Sequence, residues 1–216
     1  APPALALFGS EYFARFLMHI LKFNKLNKIY EQIASKEGIE FINEIIDILE
    51  FKIEFDETEL KKIPHEGPVI VIANHPFGGL DGLLLIKYLS HIRSDVKVVG
   101  NFLLKKIDPV SHYFINNNPF NNKSKVEWKI NNSPGITTAI NHIKSNGVLC
   151  IFPAGDLSTY GTFDSITDQV WQFPAIKFIK KARVPVVPVH FQGTNSRLFH
   201  FIAKIHPSLR QVRLPS

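Results

Sequence analysis

The stretch that most constrains the fold is residues 67–89, which read GPVIVIANHPFGGLDGLLLIKYL. Val69–Ala73 is a short apolar run rich in β-branched residues, which is typical of a strand buried on both faces. Gly78 and Gly79 permit a sharp turn, and a helix is predicted from about Gly82 to Leu89. The stretch therefore predicts a strand, a tight loop and a helix, and in α/β sheets ligands bind in such loops beyond the carboxyl ends of strands.

The predicted loop carries a histidine and an aspartate, His75 and Asp81. A neutral imidazole can take a proton from a hydroxyl, and a carboxylate can fix the tautomer of that imidazole. No G-x-S-x-G motif accompanies the pair, and the one cysteine, Cys150, lies in an apolar run. The pair therefore favours direct attack by an activated acceptor on a bound acyl donor. Two alternatives stay open: a structural role for His75, and a helix-capping role for Asp81 instead of, or beside, the catalytic one.

Composition indicates one sizeable globular α/β domain, with 216 residues, 45% hydrophobic and 20% charged. The net charge of +6 favours an anionic membrane surface, an acidic carrier protein or a nucleic acid as partner. Nucleic acid is the weakest of the three because no basic stripe is interleaved with aromatic residues. The histidines lack H-E-x-x-H spacing, so we predict no metal site. No apolar run is long enough for a membrane-spanning helix, and the missing initiator Met leaves open whether further domains exist.

The N-terminal 50 residues are predicted to form an amphipathic helical segment ahead of an α/β domain at 51–216. Residues 11–34 predict a helix that is apolar on one face and basic on the other. Such a helix can lie in a membrane interface or pack on the domain surface, and the sequence does not decide between the two. A second helix is predicted at 39–49, and the alternation at 51–55 predicts a strand with one exposed face.

Further along the chain, the pattern predicts strands at 96–99, 148–152 and 184–189, a helix at 136–144 and a loop at 115–125. The prolines of 184–189 confine that strand to an edge or to a strand start. The residues around the helix predicted near 176–181 are expected to form core or an acyl-chain wall: Trp171, Phe173, Ile176, Phe178 and Ile179. The lysines beside them predict either a site for an anionic donor or a solvated helix end.

Asn74-His75 with Asp81 resembles the N-H-x4-D block of the glycerolipid and lysophospholipid acyltransferase superfamily, with five intervening residues in place of four. The longer string N-H-P-F-G-G-L-D-G is similar to the haemolysin-like branch, which includes O-acyltransferases that complete ornithine and glycine lipids. The resemblance implies that His75 is the general base and that Asp81 orients it. It also places the rest of the block in the substrate site: Asn74, Phe77, Gly78 and Gly79.

Three later blocks strengthen the resemblance. Residues 101–108 correspond to the second block, where Lys105 or Lys106 would replace a familiar arginine, unless both are simply solvated. The third block, P-A-G-D-L-S, contributes Pro153, Gly155, Asp156 and Ser158 to the expected substrate site. Residues 184–188 are similar to the fourth block, V-P-V-x-P, and a D-x-x-W pattern typical of the branch lies at Asp168 and Trp171.

The third block departs from the superfamily at its charged position. Relatives read F-P-E-G-T-R-S, whereas the haemolysin-like branch reads F-P-A-G-E, to which Asp156 is similar. A carboxylate in place of a phosphate-binding arginine favours a zwitterionic or amino-containing head group. The alternative is that Asp156 only caps a turn.

The resemblance implies a mostly parallel twisted sheet flanked by helices and an O-acyltransferase activity. The acyl group would pass from an acyl carrier protein or coenzyme A thioester to the hydroxyl of a lyso-lipid, without metal or redox cofactor. Amides near Gly78 or Gly155 are expected to stabilise the oxyanion, and the protein is expected at the cytoplasmic face of the inner membrane as a peripheral protein. The alternatives are a 1-acylglycerol-3-phosphate acyltransferase, a thioesterase-like hydrolase and a catalytically silent membrane-binding module.

Overall fold

The computed structural model describes residues 23–100, 104–115, 134–160 and 166–195. Its centre is a five-stranded sheet in the order β3-β2-β4-β1-β7, in which all neighbouring strands are parallel. The sheet strands are β1 (Val69–Ala73), β2 (Val96–Val99), β3 (Phe114–Ile115), β4 (Val148–Ile151) and β7 (Val186–Val189). A separate antiparallel pair consists of β5 (Thr159–Tyr160) and β6 (Ile166–Thr167). The predicted α/β class with a parallel sheet is confirmed.

Helices cover both faces of the sheet. Successive side chains of a strand point to opposite faces, so an apolar strand needs packing partners on both sides. Val69, Val71 and Ala73 of β1 contribute to the core on one face, and Ile70 contributes to the core on the other. The first face is covered by α1 (Phe23–Ile33), α2 (Gly38–Ile48) and α3 (Gly79–Leu89). The second face is covered by α4 (Pro134–Lys144) and α5 (Phe173–Ala182).

The two N-terminal helices share the core of the α/β domain. Ile29 and Ile33 of α1 and Phe41, Ile42 and Ile46 of α2 are buried in the same cluster as strand β1. The described part of the first helix therefore packs on the domain, as one of the two alternatives required. Its predicted aromatic face, at residues 13–21, lies outside the described residues, and so do residues 116–125 of the predicted loop. The boundary at residue 50 stays a prediction.

The predicted strand at 51–55 is wrong. These residues form no ladder, although Phe51 and Ile53 are half-buried and pack against the core. The alternation therefore matches the burial of the side chains, but the described part of the chain offers this segment no neighbouring strand with which to pair. A 3₁₀ helix, Glu57–Lys62, follows it, and two more 3₁₀ helices, Leu104–Lys106 and Asp108–Tyr113, lie between β2 and β3.

Strand β7 lies at one edge of the described sheet, beside β1 alone. Its proline, Pro188, is exposed, and an edge strand is where proline is tolerated because one side of the strand needs no partner. The predicted edge position is confirmed. Helix α4 and strand β4 also lie within a few residues of the predicted bounds.

The buried Arg93 joins the loops at the amino ends of the strands. Its guanidinium pairs with Asp95 at 2.7 Å and donates to the carbonyl oxygens of Pro64, Gly67 and Asn146. Burial tends to raise the pKa of Asp95, but the bonded Arg93 outweighs it and the pKa is lowered. This cluster fixes the amino ends of the strands, whereas the loop that carries His75 lies at their carboxyl ends.

Candidate active site

The site is built on the loop between β1 and α3, where His75 and Asp81 come together. Nδ1 of His75 lies 3.0 Å from Oδ2 of Asp81. Asp81 is completely buried, whereas the His75 side chain retains 20% exposure. Since Nδ1 faces the carboxylate, Nε2 lies on the other side of the ring and has no hydrogen-bond partner among the described residues. The pair thus has the arrangement of a general base held in one tautomer by an acid.

One oxygen of Asp81 receives every hydrogen bond recorded for that side chain. Besides the imidazole, the amides of Phe77 and Gly78 donate to Oδ2 at 2.9 and 3.0 Å. The other oxygen, Oδ1, is buried without a partner in the described part of the chain. Burial raises the pKa of Asp81, while His75 and the two amides partly offset that effect. The carboxylate is therefore positioned rigidly but at an electrostatic cost.

The start of helix α3 differs from the prediction by three residues. The helix begins at Gly79 with Gly78 as N-cap, so Asp81 lies in its first turn and accepts the Gly78 amide. Asp81 consequently supports the helix terminus and orients the histidine at once. Gly78 has a φ of 76°, which favours glycine. An added Cβ there would also lie 3.1 Å from Leu157 Cδ2, so Gly78 brings the first and third blocks together.

The His75 ring is held from its face by Phe152, the residue that follows strand β4. Their centroids are 4.1 Å apart with an interplanar angle of 24°. Because β1 and β4 are adjacent and parallel, their carboxyl ends meet at one edge of the sheet. The loop after β4 therefore comes directly against the histidine loop.

A second contact between these loops involves an aspartate that the predicted site did not include. The amide of Ser158 donates to the carbonyl oxygen of His75 at 3.0 Å. Oδ1 of Asp168 accepts the Ser158 hydroxyl and the amide of His75, the latter at 3.4 Å. The D-x-x-W pattern had marked Asp168, but no spacing rule connects two residues 93 positions apart in sequence. Ser158 and Asp168 therefore hold the backbone that carries His75.

The remaining residues of the third block border the site. Pro153 is buried, and Gly155 is half-buried with a φ of 69°. Asp156 is exposed, and its Oδ1 accepts the amide of Leu157 at 2.9 Å. Asp156 therefore caps its own turn, as the alternative required, and its exposure keeps the carboxylate accessible to a ligand.

Asn74 and Phe77 support the loop from the side of β7. The Asn74 side chain donates to the Phe191 carbonyl oxygen at 2.9 Å and accepts the Phe191 amide at 2.7 Å. Phe77 is half-buried and packs against the core. The buried Asn195 donates to the Pro76 carbonyl oxygen at 2.7 Å. Asn74 thus has a structural role in the chain after β7, in addition to the substrate-site role that the resemblance implied.

Lys105 and two glycine amides are the remaining groups of the expected substrate site. Lys105 is exposed on the Leu104–Lys106 turn, while its neighbour Leu104 approaches Gly79, where an added Cβ would lie 3.2 Å from it. The amide of Gly78 donates to Asp81, and that of Gly155 donates to the Phe152 carbonyl oxygen at 2.9 Å. These two amides therefore already have partners, and the expectation that amides near the two glycines stabilise an oxyanion stays a prediction.

Within the described residues, no group of three or more His, Cys, Asp or Glu side chains is arranged to hold a metal ion. None of the described helices is both long and apolar enough to cross a membrane.

The site is a histidine–aspartate pair in a loop at the carboxyl ends of a parallel sheet, and comparison with known proteins gives the family. A family model described as acyltransferase matches residues 1–212, so the chain belongs to this acyltransferase family, whose members transfer acyl groups. A lyso-glycine lipid O-acyltransferase of Phocaeicola vulgatus is 28% identical over 195 residues, which cover 90% of this chain and 66% of the relative.

A second lyso-glycine lipid O-acyltransferase, from Bacteroides thetaiotaomicron, is 28% identical over 200 residues, which cover 92% of this chain and 70% of the relative. The chain thus spans about two thirds of the length of these curated relatives. No solved structure matches the chain.

Proposed function

We propose that this protein is an O-acyltransferase that moves a fatty acyl group from a thioester to the hydroxyl of a lyso-lipid. The observation that carries the proposal is the His75–Asp81 pair, with 3.0 Å between Nδ1 and Oδ2 in a loop at the carboxyl edge of a parallel sheet. The family match and the names of the two relatives support the reaction class and the lyso-lipid acceptor. The acyl donor is an acyl carrier protein or coenzyme A thioester.

The reaction begins at the imidazole nitrogen that Asp81 does not occupy. Nε2 of His75 takes the hydroxyl proton of the acceptor, whose oxygen attacks the thioester carbonyl carbon. The C–S bond then breaks, and the departing thiolate takes the proton from the imidazolium. Positioned general-base catalysis of this kind contributes roughly 10²–10⁴-fold to the rate. The thioester supplies the activation, so the step requires neither metal nor redox chemistry.

For the head group, we propose a lyso-aminolipid of the ornithine or glycine type. The support is the exposed Asp156 carboxylate beside the site, together with the relatives' acceptor. A free amine on the acceptor, such as N-acylated ornithine retains, would pair with Asp156, whereas a phosphate would be repelled by it. N-acylated glycine has no such amine, so the glycine-type acceptor is supported by the relatives alone. The protein would act as a peripheral protein on the cytoplasmic face of the inner membrane, where an anionic surface suits its charge of +6.

The test is an acyl-transfer assay with purified protein, lipid vesicles and both thioester donors. Lyso-ornithine lipid, lyso-glycine lipid and lysophosphatidate are compared as acceptors. His75→Ala is expected to lower kcat by about 10²–10⁴-fold, and His65→Ala, at an exposed position before β1, is the matched control. Transfer that survives in His75→Ala would overturn the assignment of the base. A preference for lysophosphatidate would keep the reaction class and overturn the head-group proposal.

A further inference from the structure

An exposed apolar segment lies immediately before helix α5. Val170 is 90% exposed, Phe173 is 74% exposed and Trp171 is 45% exposed. Core packing therefore does not account for these side chains, although Trp171 and Phe173 were expected in a core or acyl-chain wall. A soluble surface tolerates single exposed apolar side chains, but three within four positions form a patch that marks a contact site.

The outer face of α5 is cationic. At about 100° per residue, Phe173, Lys177 and Lys180 fall on one face of the helix, while Ala175 and Phe178 face the core. Lys177, Lys180, Lys181 and Arg183 are all exposed, and none has an ion-pair partner among the described residues. These four residues line one groove together with Phe173 and Ile176. The apolar side chains of Phe173 and Ile176 therefore lie next to these four charges.

This surface is joined to the active site by two hydrogen bonds. The amide of Gln172 donates to the Pro153 carbonyl oxygen at 2.9 Å, and its side-chain amide donates to that of Ala154 at 3.1 Å. Pro153 and Ala154 begin the turn that leads to Ser158, whose amide binds the His75 carbonyl oxygen. A ligand that holds residues 170–173 would consequently sit beside the loop that receives the acceptor.

We propose that residues 170–173 and the cationic face of α5 form a docking surface for anionic lipid bilayers. The inference rests on the proposed function, because a lyso-lipid acceptor enters from a bilayer. Tryptophan and phenylalanine at the edge of a basic face are the combination that lies in a membrane interface. The lysines match the negative potential of an anionic leaflet. An acidic carrier protein would match the charges, but it would leave Val170 and Phe173 without an apolar phase.

Trp171 provides a direct probe of the docking surface. The sequence has two tryptophans, so a Trp128→Phe variant leaves Trp171 alone. Its emission is expected to shift to the blue on vesicles of phosphatidylcholine mixed with phosphatidylglycerol, and to stay unchanged on phosphatidylcholine alone. The shift should weaken as salt is added, since salt screens surface charge. Cosedimentation with the mixed vesicles without a shift of emission would overturn the proposal and place the contact elsewhere.

Surface variants separate the two parts of the docking surface. Lys180→Gln with Lys181→Gln should weaken partitioning onto the mixed vesicles by roughly tenfold or more. Val170→Ser with Phe173→Ser should abolish the emission shift. The matched control is Lys61→Gln with Lys144→Gln, which removes two exposed lysines elsewhere and should leave partitioning within about twofold. Equal losses in the control would show charge attraction without a defined surface and would overturn the proposal.

Failure of this inference is distinguishable from failure of the proposed function. The surface variants should lose transfer to a vesicle-embedded lyso-lipid while keeping it toward a short-chain lyso-lipid dispersed as monomers. Equal activity on vesicles in variant and wild-type protein would overturn the docking surface but not the enzyme. Absence of transfer by wild-type protein in both formats would instead overturn the proposed function. An emission shift produced by acyl carrier protein alone, and not by vesicles, would assign the surface to the carrier.

Discussion

At the scale of single residues, the site is organised around Asp81 Oδ2. This atom accepts bonds from His75, Phe77 and Gly78, so one carboxylate oxygen fixes the histidine, its loop and the helix terminus. Complete burial disfavours the ionised form and raises the pKa of Asp81. Orientation of the histidine is thus obtained at the expense of stability.

Asp81→Asn should separate these two effects. An asparagine oxygen can accept the same three bonds, but it cannot stabilise an imidazolium by charge, so kcat should fall by about 10²-fold or more. The buried charge disappears, which favours the variant above the raised Asp81 pKa, whereas the new side-chain NH₂ takes the place of the unpartnered Oδ1 and costs stability at every pH. The native-state pKa of Asp81 is raised, so protonation of the wild type removes the cost of its buried charge. The melting temperature of the variant relative to the wild type should therefore decrease as the pH falls from that raised pKa towards 3.8.

Circular dichroism melts across pH and steady-state assays of the same samples provide the check. A difference in melting temperature between variant and wild type that does not change with pH would contradict the assigned burial cost. The opposite-edge variant Asp95→Asn is the control, because the pKa of Asp95 is lowered. Asp95→Asn should melt below the wild type near neutral pH, and this difference in melting temperature should shrink on acidification.

Asp168 should influence the reaction through the position of His75. Asp168→Ala removes the acceptor for the His75 amide and the Ser158 hydroxyl, and we expect kcat to fall about tenfold with KM nearly unchanged. Ser158→Ala combined with it should add little, since the two act as one unit. Asp168→Asn, which keeps an acceptor oxygen, should restore most of kcat. Strictly additive losses, or a loss confined to KM, would contradict a positioning role.

Contacts within one loop are easier to predict from the sequence than contacts between loops. His75 and Asp81 are separated by a short loop, so their proximity follows from local spacing, whereas their catalytic roles are implied by the family resemblance and stay a prediction. Asp168 contacts the same loop only because the fold brings the two segments together. The amides of Gly78 and Gly155 donate to partners that no sequence motif predicts. Backbone hydrogen bonds depend on the path of the chain, which residue types do not encode.

At the scale of elements, the end of β1 is tied to the chain that follows β7. The Asn74 side chain makes two bonds to the Phe191 backbone. Asn74→Ala should therefore lower the free energy of unfolding by about 1–3 kcal/mol, because two backbone groups lose their partner. Urea unfolding followed by circular dichroism measures this, with Asn141→Ala, at an exposed position of α4, as the control. An unchanged midpoint for Asn74→Ala would show that water replaces both bonds without loss.

Buried strands are the elements that the sequence predicts best. The apolar runs of β1, β2 and β4 have no other environment in which they are stable, and their predicted bounds differ from the observed ones by one residue at most. The segment at 51–55 shows the opposite case, since alternation predicts a strand whose existence depends on a partner elsewhere. Likewise, Trp171 and Phe173 are apolar but exposed, because apolarity does not distinguish a core from a contact surface.

At the scale of the whole molecule, Cys150 lies in the central strand β4 and is completely buried. Burial raises the pKa of its thiol strongly, so neither the thiolate nor an access route is available in the native state. As the one cysteine of the sequence, it should react with a thiol reagent only upon global opening. The expected labelling rate is at least about 10³-fold slower than in denaturant. Rapid labelling of native protein would contradict the described core.

The same parallel order explains why distant blocks of sequence meet. Strands β1 and β4 are neighbours, so the loops after them share an edge although about 75 residues separate them, as is general for ligand sites in α/β sheets. The Arg93 cluster lies at the opposite side, at the amino ends of the strands. The sequence therefore predicts the class of fold and the edge that carries the site. The strand order and the contacts between loops follow from packing.

The complete burial of Asp81 also influences the route by which a proton leaves His75 during a turnover. Nδ1 of His75 faces a completely buried carboxylate, so the proton that His75 acquires is expected to leave by Nε2, the nitrogen at which it arrived. Under the proposed function, the recipient there is the departing sulfur, and the proton of the alcohol ends on the thiol. Because an alcohol and a thioester give an ester and a thiol, the transfer should proceed in weakly buffered solution without release or uptake of acid, whereas hydrolysis of the thioester would acidify the solution.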